Sequence, residues 1–257
     1  MMDYMAAGSR DIATMPRGGY RASCLDRWLQ TDRTEYLDRP AGAGADGKKR
    51  QVLRSLELLG GLLGDHDRFA RLALAQVAEV PDPRILELGA GHGALSQRLL
   101  VEHPTAEVTV TDVEPGAVAA MAAGELGRHP RATVRALDAT AIDAPDRAFD
   151  LAVFALGFHH LPPPQAAQVL AEGTRAAERL LLIEPARPPA VLQVLRVATM
   201  LPWAPLVPYL HDALISSLRL YSTAALRTLA AHADPAIDLT VRDVGCGMQT
   251  VVAARRG

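Results

Sequence analysis

Three short runs in this chain hold residues whose types and spacing could do chemistry. The first is Ile85-Leu86-Glu87-Leu88-Gly89-Ala90-Gly91-His92-Gly93, in which an apolar run ends in an acid and three glycines then alternate. It reads as a strand and a tight turn, with a helix starting at Ala94. Glycines there let the backbone turn sharply and let a ligand lie against main-chain N–H groups. Gly89, Gly91 and Ala94 also satisfy the G-x-G-x-x-G/A dinucleotide pattern. Glu87 tips the balance the other way. A carboxylate at that strand end, aimed at the ligand, favours an ammonium or sulfonium charge and repels a pyrophosphate. The second run is Thr111-Asp112-Val113. An acid at a strand end can accept hydrogen bonds from ribose hydroxyls, or it can cap the next helix. The third is Phe158-His159-His160-Leu161. Adjacent histidines in a strand-to-helix loop can supply a general base, or simply shape a pocket.

Something must position these runs, and the hydrophobic pattern supplies it. Strand signals fall at 84–88, 107–111, 133–137, 149–154 and 179–183, with helices predicted at 116–127 and 164–177 among them. Such alternation implies a parallel sheet wound with helices on both sides. The near-continuous apolar run 149–154 implies burial on both faces. Upstream, helices are predicted at 25–37, 49–63 and 67–80, with a Gly- and Ala-rich linker over 39–47. Residues 1–22 read as a flexible end and 23–80 as a helical lid. Residues 81–257 then form the ligand-binding domain, with an apolar, Pro-rich insertion at 188–221 that is too long for a simple loop. A helix over 223–232 precedes two strands, 237–244 and 248–254, joined by Gly245-Cys246-Gly247 as a hairpin.

Glu87-x-Gly89-x-Gly91-x-Gly93 resembles motif I of the class I S-adenosylmethionine (SAM)-dependent methyltransferases. The resemblance covers roughly residues 80 to 185 and, by architecture alone, the final hairpin. It implies an α/β, doubly wound, seven-stranded Rossmann-like sheet of order 3-2-1-4-5-7-6 with the seventh strand antiparallel. It implies SAM as cofactor and S-adenosylhomocysteine as product. Glu87, Gly89, Ala90, Gly91 and Gly93 would then hold the cofactor, with Asp112 on the ribose and Val113 on the adenine. Asp138 and Ala139 would meet the adenine edge, although Asp138 also suits an ordinary turn. Ala155 would close the cofactor site at the end of the fourth strand. Phe149-Asp150-Leu151-Ala152-Val153-Phe154 and the run to Leu161 resemble motif IV and its sequel, which puts His159 and His160 beside the transferred methyl. Arg54 on the upstream helix would reach the SAM carboxylate, or stand there as a solvated charge. Tyr36, Phe158, Trp203, Tyr209, His211 and Tyr221 would line an aromatic substrate pocket. The insertion reads equally well as a packed auxiliary helix or a homodimer surface.

Composition narrows the classes. The 257 residues carry a formal net charge of −2 and show no basic stripe, which argues against nucleic acid. No apolar run is long enough to span a membrane, and the start lacks a signal-peptide core. Cys24 and Cys246 match no metal or redox spacing, as expected of free thiols in the cytoplasm. No metal is expected, on the ground that neighbouring histidines do not easily face one ion. The expectation is therefore a cytoplasmic methyltransferase acting on a small organic molecule. Two rival readings are a SAM-binding protein that does not methylate (regulatory or pericyclase-like) and an NAD(P)-dependent oxidoreductase. The short-chain dehydrogenase pair, a Tyr followed four positions later by Lys, is absent.

Overall fold

The computed structural model describes residues 11–37 and 45–256. The strands β1 (Arg84–Leu88), β2 (Glu107–Asp112), β3 (Ala132–Ala136), β4 (Leu151–Ala155) and β5 (Leu180–Pro185) pair in parallel. The hairpin β6 (Ile237–Gly245) and β7 (Met248–Arg255) adds antiparallel to β5. The sheet order is β3-β2-β1-β4-β5-β7-β6, as the resemblance implies.

Period-two alternation explains why strands that read as solid apolar runs serve two layers. Leu86, Leu88, Ala152, Phe154, Leu180 and Leu182 face one side, where α6 (Pro163–Ala176) and α9 (Thr223–Ala233) bring Val169, Leu170, Leu226 and Leu229. Ile85, Val108, Val110, Leu151, Val153, Leu181 and Ile183 face the other, against Phe69 of α3 (Asp65–Leu74) and Leu95 and Leu99 of α4 (Ala94–Glu102). Each fully buried side chain of this kind contributes about 1.5–3 kcal/mol.

Several boundaries differ from expectation, each for a local reason. The helix predicted over 25–37 is only Cys24–Trp28 (α1). Beyond it the chain is irregular, and the Tyr36 and Leu37 N–H groups donate to the Asp212 carboxylate, at 2.9 and 3.3 Å, in place of helical bonds. Residues 38–44 of the predicted linker lie outside the described residues, and its end is already helical in α2 (Ala45–Leu63). The predicted 67–80 helix ends at Leu74, and α3 packs on α4 and β4 as part of a sheet layer rather than as a lid. Residues 1–10 of the expected flexible end are likewise outside the described residues, but 11–22 are not loose: Ile12 and Met15 sit in the core and Arg17 is buried. The 188–221 insertion forms α7 (Ala190–Met200) and α8 (Pro208–Arg219), and α8 packs on α2.

Candidate active site

All the chemistry-bearing runs meet at the carboxyl edge of the sheet. After β1, Gly89 and Gly93 adopt φ of +62° and +75°, in the left-handed region that disfavours side chains. A Cβ on Gly89 would lie 2.7 Å from the Phe154 ring, and one on Gly93 would strike Leu126. The turn is pinned to β2 by the Ala90 N–H, which donates to the Thr111 carbonyl at 2.8 Å. No side chain caps the amino end of α4, so its first N–H groups are left for a ligand.

Asp112 accepts the Gly91 N–H at 2.8 Å on one oxygen and the Glu114 N–H at 2.9 Å on the other. A carboxylate offers about four acceptor sites, so capacity remains for two hydroxyls. Val113 beside it is 69% exposed, an apolar side chain standing in the open where a flat ring could lie. Asp138 accepts both the N–H and the hydroxyl of Thr140, which makes it a turn residue in this state, while Ala139 packs on the core. Ala155 is half-buried at the end of β4. The next residue, Leu156, has φ of +56°, a backbone strain for a branched side chain of the kind that gathers at working sites.

Glu87 differs from expectation. Its carboxylate is buried beneath the turn and accepts the Ser96 hydroxyl of α4, so it does not open onto the cleft. Burial pushes its carboxyl up to about 7; the Ser96 hydrogen bonds oppose this and the Asp112 charge adds to it.

The histidine pair lies in a 3-10 turn, Phe158–His160, directly after β4. Glu184 of β5 holds this turn twice. One of its oxygens accepts the Phe158 N–H at 2.8 Å, and the other lies 2.6 Å from His159 Nδ1. Since a carboxylate accepts, Nδ1 carries a hydrogen, and in the neutral imidazole Nε2 then keeps its lone pair. Nε2 is buried without a hydrogen-bond partner, 3.9 Å from a Glu35 oxygen that itself takes the Ser216 hydroxyl at 2.7 Å. His160 Nε2 lies 3.9 Å from the other Glu35 oxygen, and the two imidazole rings stack at 4.3 Å. The carbonyls of the turn are clamped as well. Arg17 donates to those of His159 and Leu161 at 3.0 and 2.8 Å, Arg219 donates to that of His160, and the Tyr221 hydroxyl donates to Leu161 at 2.8 Å.

A cavity of about 300 Å³ opens onto His159 and His160, walled among others by Glu35, Leu156, Tyr209 and Ser216. Of the six predicted substrate residues only Tyr209 lines it. Phe158 and Tyr221 are 1% and 3% exposed and belong to the core, where their rings pack edge-on at 5.8 Å. Tyr36 is buried, stacked on His211 at 4.3 Å, and His211 is held by Asp212. Trp203 is 58% exposed and outside the cavity. Arg54 is exposed on α2, where it reads as a solvated charge.

The expectation that adjacent histidines do not easily face one ion is also not met, because the tight turn brings donor atoms of Glu35, His159 and His160 within 4.8 Å of one another. These three could hold a metal, with Glu184 orienting His159 from behind. Two donors on one zinc ion stand about 3.3 Å apart, given a Zn–N bond of about 2.0 Å. The 3.9 Å pairs would have to close by roughly half an ångström to reach that. As it stands the cluster suits a proton acceptor better.

Residues 85–179, which include the glycine turn, Asp112 and the histidine pair, match the family model of a methyltransferase domain. Over this stretch, a little more than a third of the chain, the protein is similar to a methyltransferase domain. A malonyl-[acyl-carrier protein] O-methyltransferase of Geobacter sulfurreducens is 36% identical to it over 106 residues, 38% of this chain and 39% of that one. The chain thus spans about two-fifths of the length of this curated relative. Human N-acetylserotonin methyltransferase, solved with SAM, superposes with a TM-score of 0.58 at 17% identity, covering 91% of this chain and 66% of that one. An O-methyltransferase family 2 protein of Planctomyces limnophilus, solved with apigenin, gives a TM-score of 0.58 at 21% identity over 86% and 64%. At such identities these two structures speak for the fold.

The geometry described above fits SAM, the ligand of the human structure: a glycine turn, spare acceptor capacity on Asp112 and an open apolar side chain at Val113. Glu184 and Glu35 are the candidate site residues that sequence reasoning missed. Glu184 had a signal, an acid ending the apolar run Leu180-Leu181-Leu182-Ile183, as Glu87 ends the first strand. Glu35, Arg17 and Arg219 reach the site only through tertiary packing and carry no local signal.

Proposed function

We propose that this protein transfers the methyl group of SAM to a small organic acceptor held in the cavity beside His159. The observation that carries the proposal is the buried Nε2 of His159, which has no hydrogen-bond partner, with Nδ1 held by Glu184. SAM supplies an electrophilic methyl on its sulfonium. In this reading Gly89, Ala90, Gly91 and Gly93 hold the cofactor with Asp112 and Val113, Asp138 and Ala139 meet the adenine edge, and Ala155 adjoins the reacting end. Glu87 supports the turn from below. His159 Nε2 takes the proton as the acceptor's nucleophile attacks, and the imidazolium then stands between Glu184 and Glu35, which stabilise it electrostatically. His160 shares Glu35 and walls the cavity. Leu156, Leu220 and Pro185 exclude water, and much of the acceleration comes from holding nucleophile and methyl in line. A volume of about 300 Å³ suits a small molecule.

The family match and the Geobacter relative support methyl transfer over the oxidoreductase reading. No helix among the described residues is long and apolar enough to cross a membrane, and both cysteines are free thiols; a cytoplasmic enzyme is consistent with both.

The test is label transfer. The protein is incubated with methyl-labelled SAM and a panel of small phenols, amines and carboxylic acids, and labelled product is counted. Expected is transfer to at least one class, abolished in His159→Asn. S-adenosylhomocysteine binding with no transfer to any class, or full transfer by the Asn variant, contradicts the proposal.

A further inference from the structure

Helix α7 is built inside out. Its buried side chain is Gln193, 1% exposed, whose amide donates to the Ser217 carbonyl of α8 at 2.9 Å. Val191, Leu192, Val194 and Leu195 are exposed at 74, 55, 39 and 60%. Exposed apolar surface gathered in this way marks a binding face. Leu192 and Leu195, one turn apart, wall a depression of about 570 Å³ whose far side is Met248 and the hairpin turn. This depression shares Pro185 and Arg196 with the acceptor cavity. The sheet accounts for the continuity. Leu156 follows β4, Pro185 ends β5, and Met248 begins the antiparallel β7 and pairs with Pro185, so all three lie along one carboxyl edge.

We propose that this trough is the second half of the acceptor site, and that the acceptor carries an apolar chain or ring system lying along Leu192, Leu195 and Met248 while its nucleophile meets His159. The inference rests on the methyl-transfer reading and names its substrate class. Continuity with the acceptor cavity is what favours an extended acceptor over a second copy of the chain or a lipid surface. The opening faces solvent on one side, so the trough covers about half of a bound chain.

The test uses phenol, 4-propylphenol and 4-hexylphenol, titrated calorimetrically into the full chain saturated with S-adenosylhomocysteine. Full burial of a methylene strengthens binding about fourfold, and half burial about twofold. Affinity is therefore expected to rise about twofold per added methylene. Leu195→Asp should flatten that dependence. Val194→Asp, with the same charge change on the side of α7 away from the trough, should retain it. Affinity independent of chain length, equal effects of the two variants, or no binding by any phenol overturns the proposal. So does a dimer seen by sedimentation, or co-sedimentation with phosphatidylcholine–phosphatidylglycerol vesicles, if Leu195→Asp abolishes it, because the face then belongs to that partner. Failure of S-adenosylhomocysteine itself to bind strikes the methyltransferase reading, and is recorded before any phenol is added.

Discussion

At the scale of single residues, the site is decided by what stands behind each functional group. His159 is fixed by Glu184, so His159→Asn should lower kcat by about 100-fold or more, the usual weight of general-base catalysis, while S-adenosylhomocysteine affinity stays constant. Equal rates in the native and Asn proteins would leave the pair as pocket walls. Chelation by EDTA should leave the rate unchanged. If activity is lost and zinc restores it, the Glu35–His159–His160 cluster is a metal centre instead. Glu87 makes a separate prediction about stability. Its carboxyl titrates near 7 when folded, against an ordinary value of 4.5. Between those values the folded state binds the extra proton, so stability falls as pH rises from about 4.5 to about 7, by on the order of 3 kcal/mol. Urea unfolding across that range should show the fall in the native protein and a flatter curve in Glu87→Gln; parallel curves would refute it. Glu87 shows how far a motif can be read. Its place at the end of the first strand was legible as an acid ending an apolar run, but its burial against Ser96 was not, because that depends on where α4 folds back.

At the scale of elements, local signals and tertiary ones part company. The parallel strands were legible to within a few residues: β4 and β5 because a doubly buried strand is written as an unbroken apolar run, β2 because its residues alternate. The hairpin was legible from its glycines: Gly245 and Gly247 flank Cys246, and all three have positive φ. The segment before α2 was not legible, since its helical spacing at 25–37 competes with bonds to Asp212 on a helix far along the chain. The described part of that segment is a strap built into the core. Arg17→Ala therefore removes a buried cation bonded to two carbonyls of the histidine turn. It should cost about 2–3 kcal/mol of stability in urea denaturation, the scale for hydrogen bonds to a charged group. A loss below about half a kcal/mol would return the segment to the role of a detachable lid.

At the scale of the whole molecule, one sheet edge organises everything. β1 and β2 offer the glycine turn and Asp112, β4 and β5 the histidine and its carboxylate, and β7 the far end of the trough. That is the rule for wound α/β sheets, in which ligands gather where the strands end and the order reverses, here between β1 and β4. The topology, and the place of the glycine turn and Asp112 on this edge, were legible because each rests on a contiguous motif. The places of Glu35 and of the inverted face of α7 were not, because they reach this edge only when distant elements meet. The central claim is that this edge binds SAM through Asp112. Calorimetry with S-adenosylhomocysteine and with NAD, on the native protein and on Asp112→Ala, tests it most directly. The account predicts binding of S-adenosylhomocysteine and not NAD, weakened by ~1.5–3 kcal/mol in the variant. Binding of NAD alone, or an affinity for S-adenosylhomocysteine unchanged by the substitution, would contradict it.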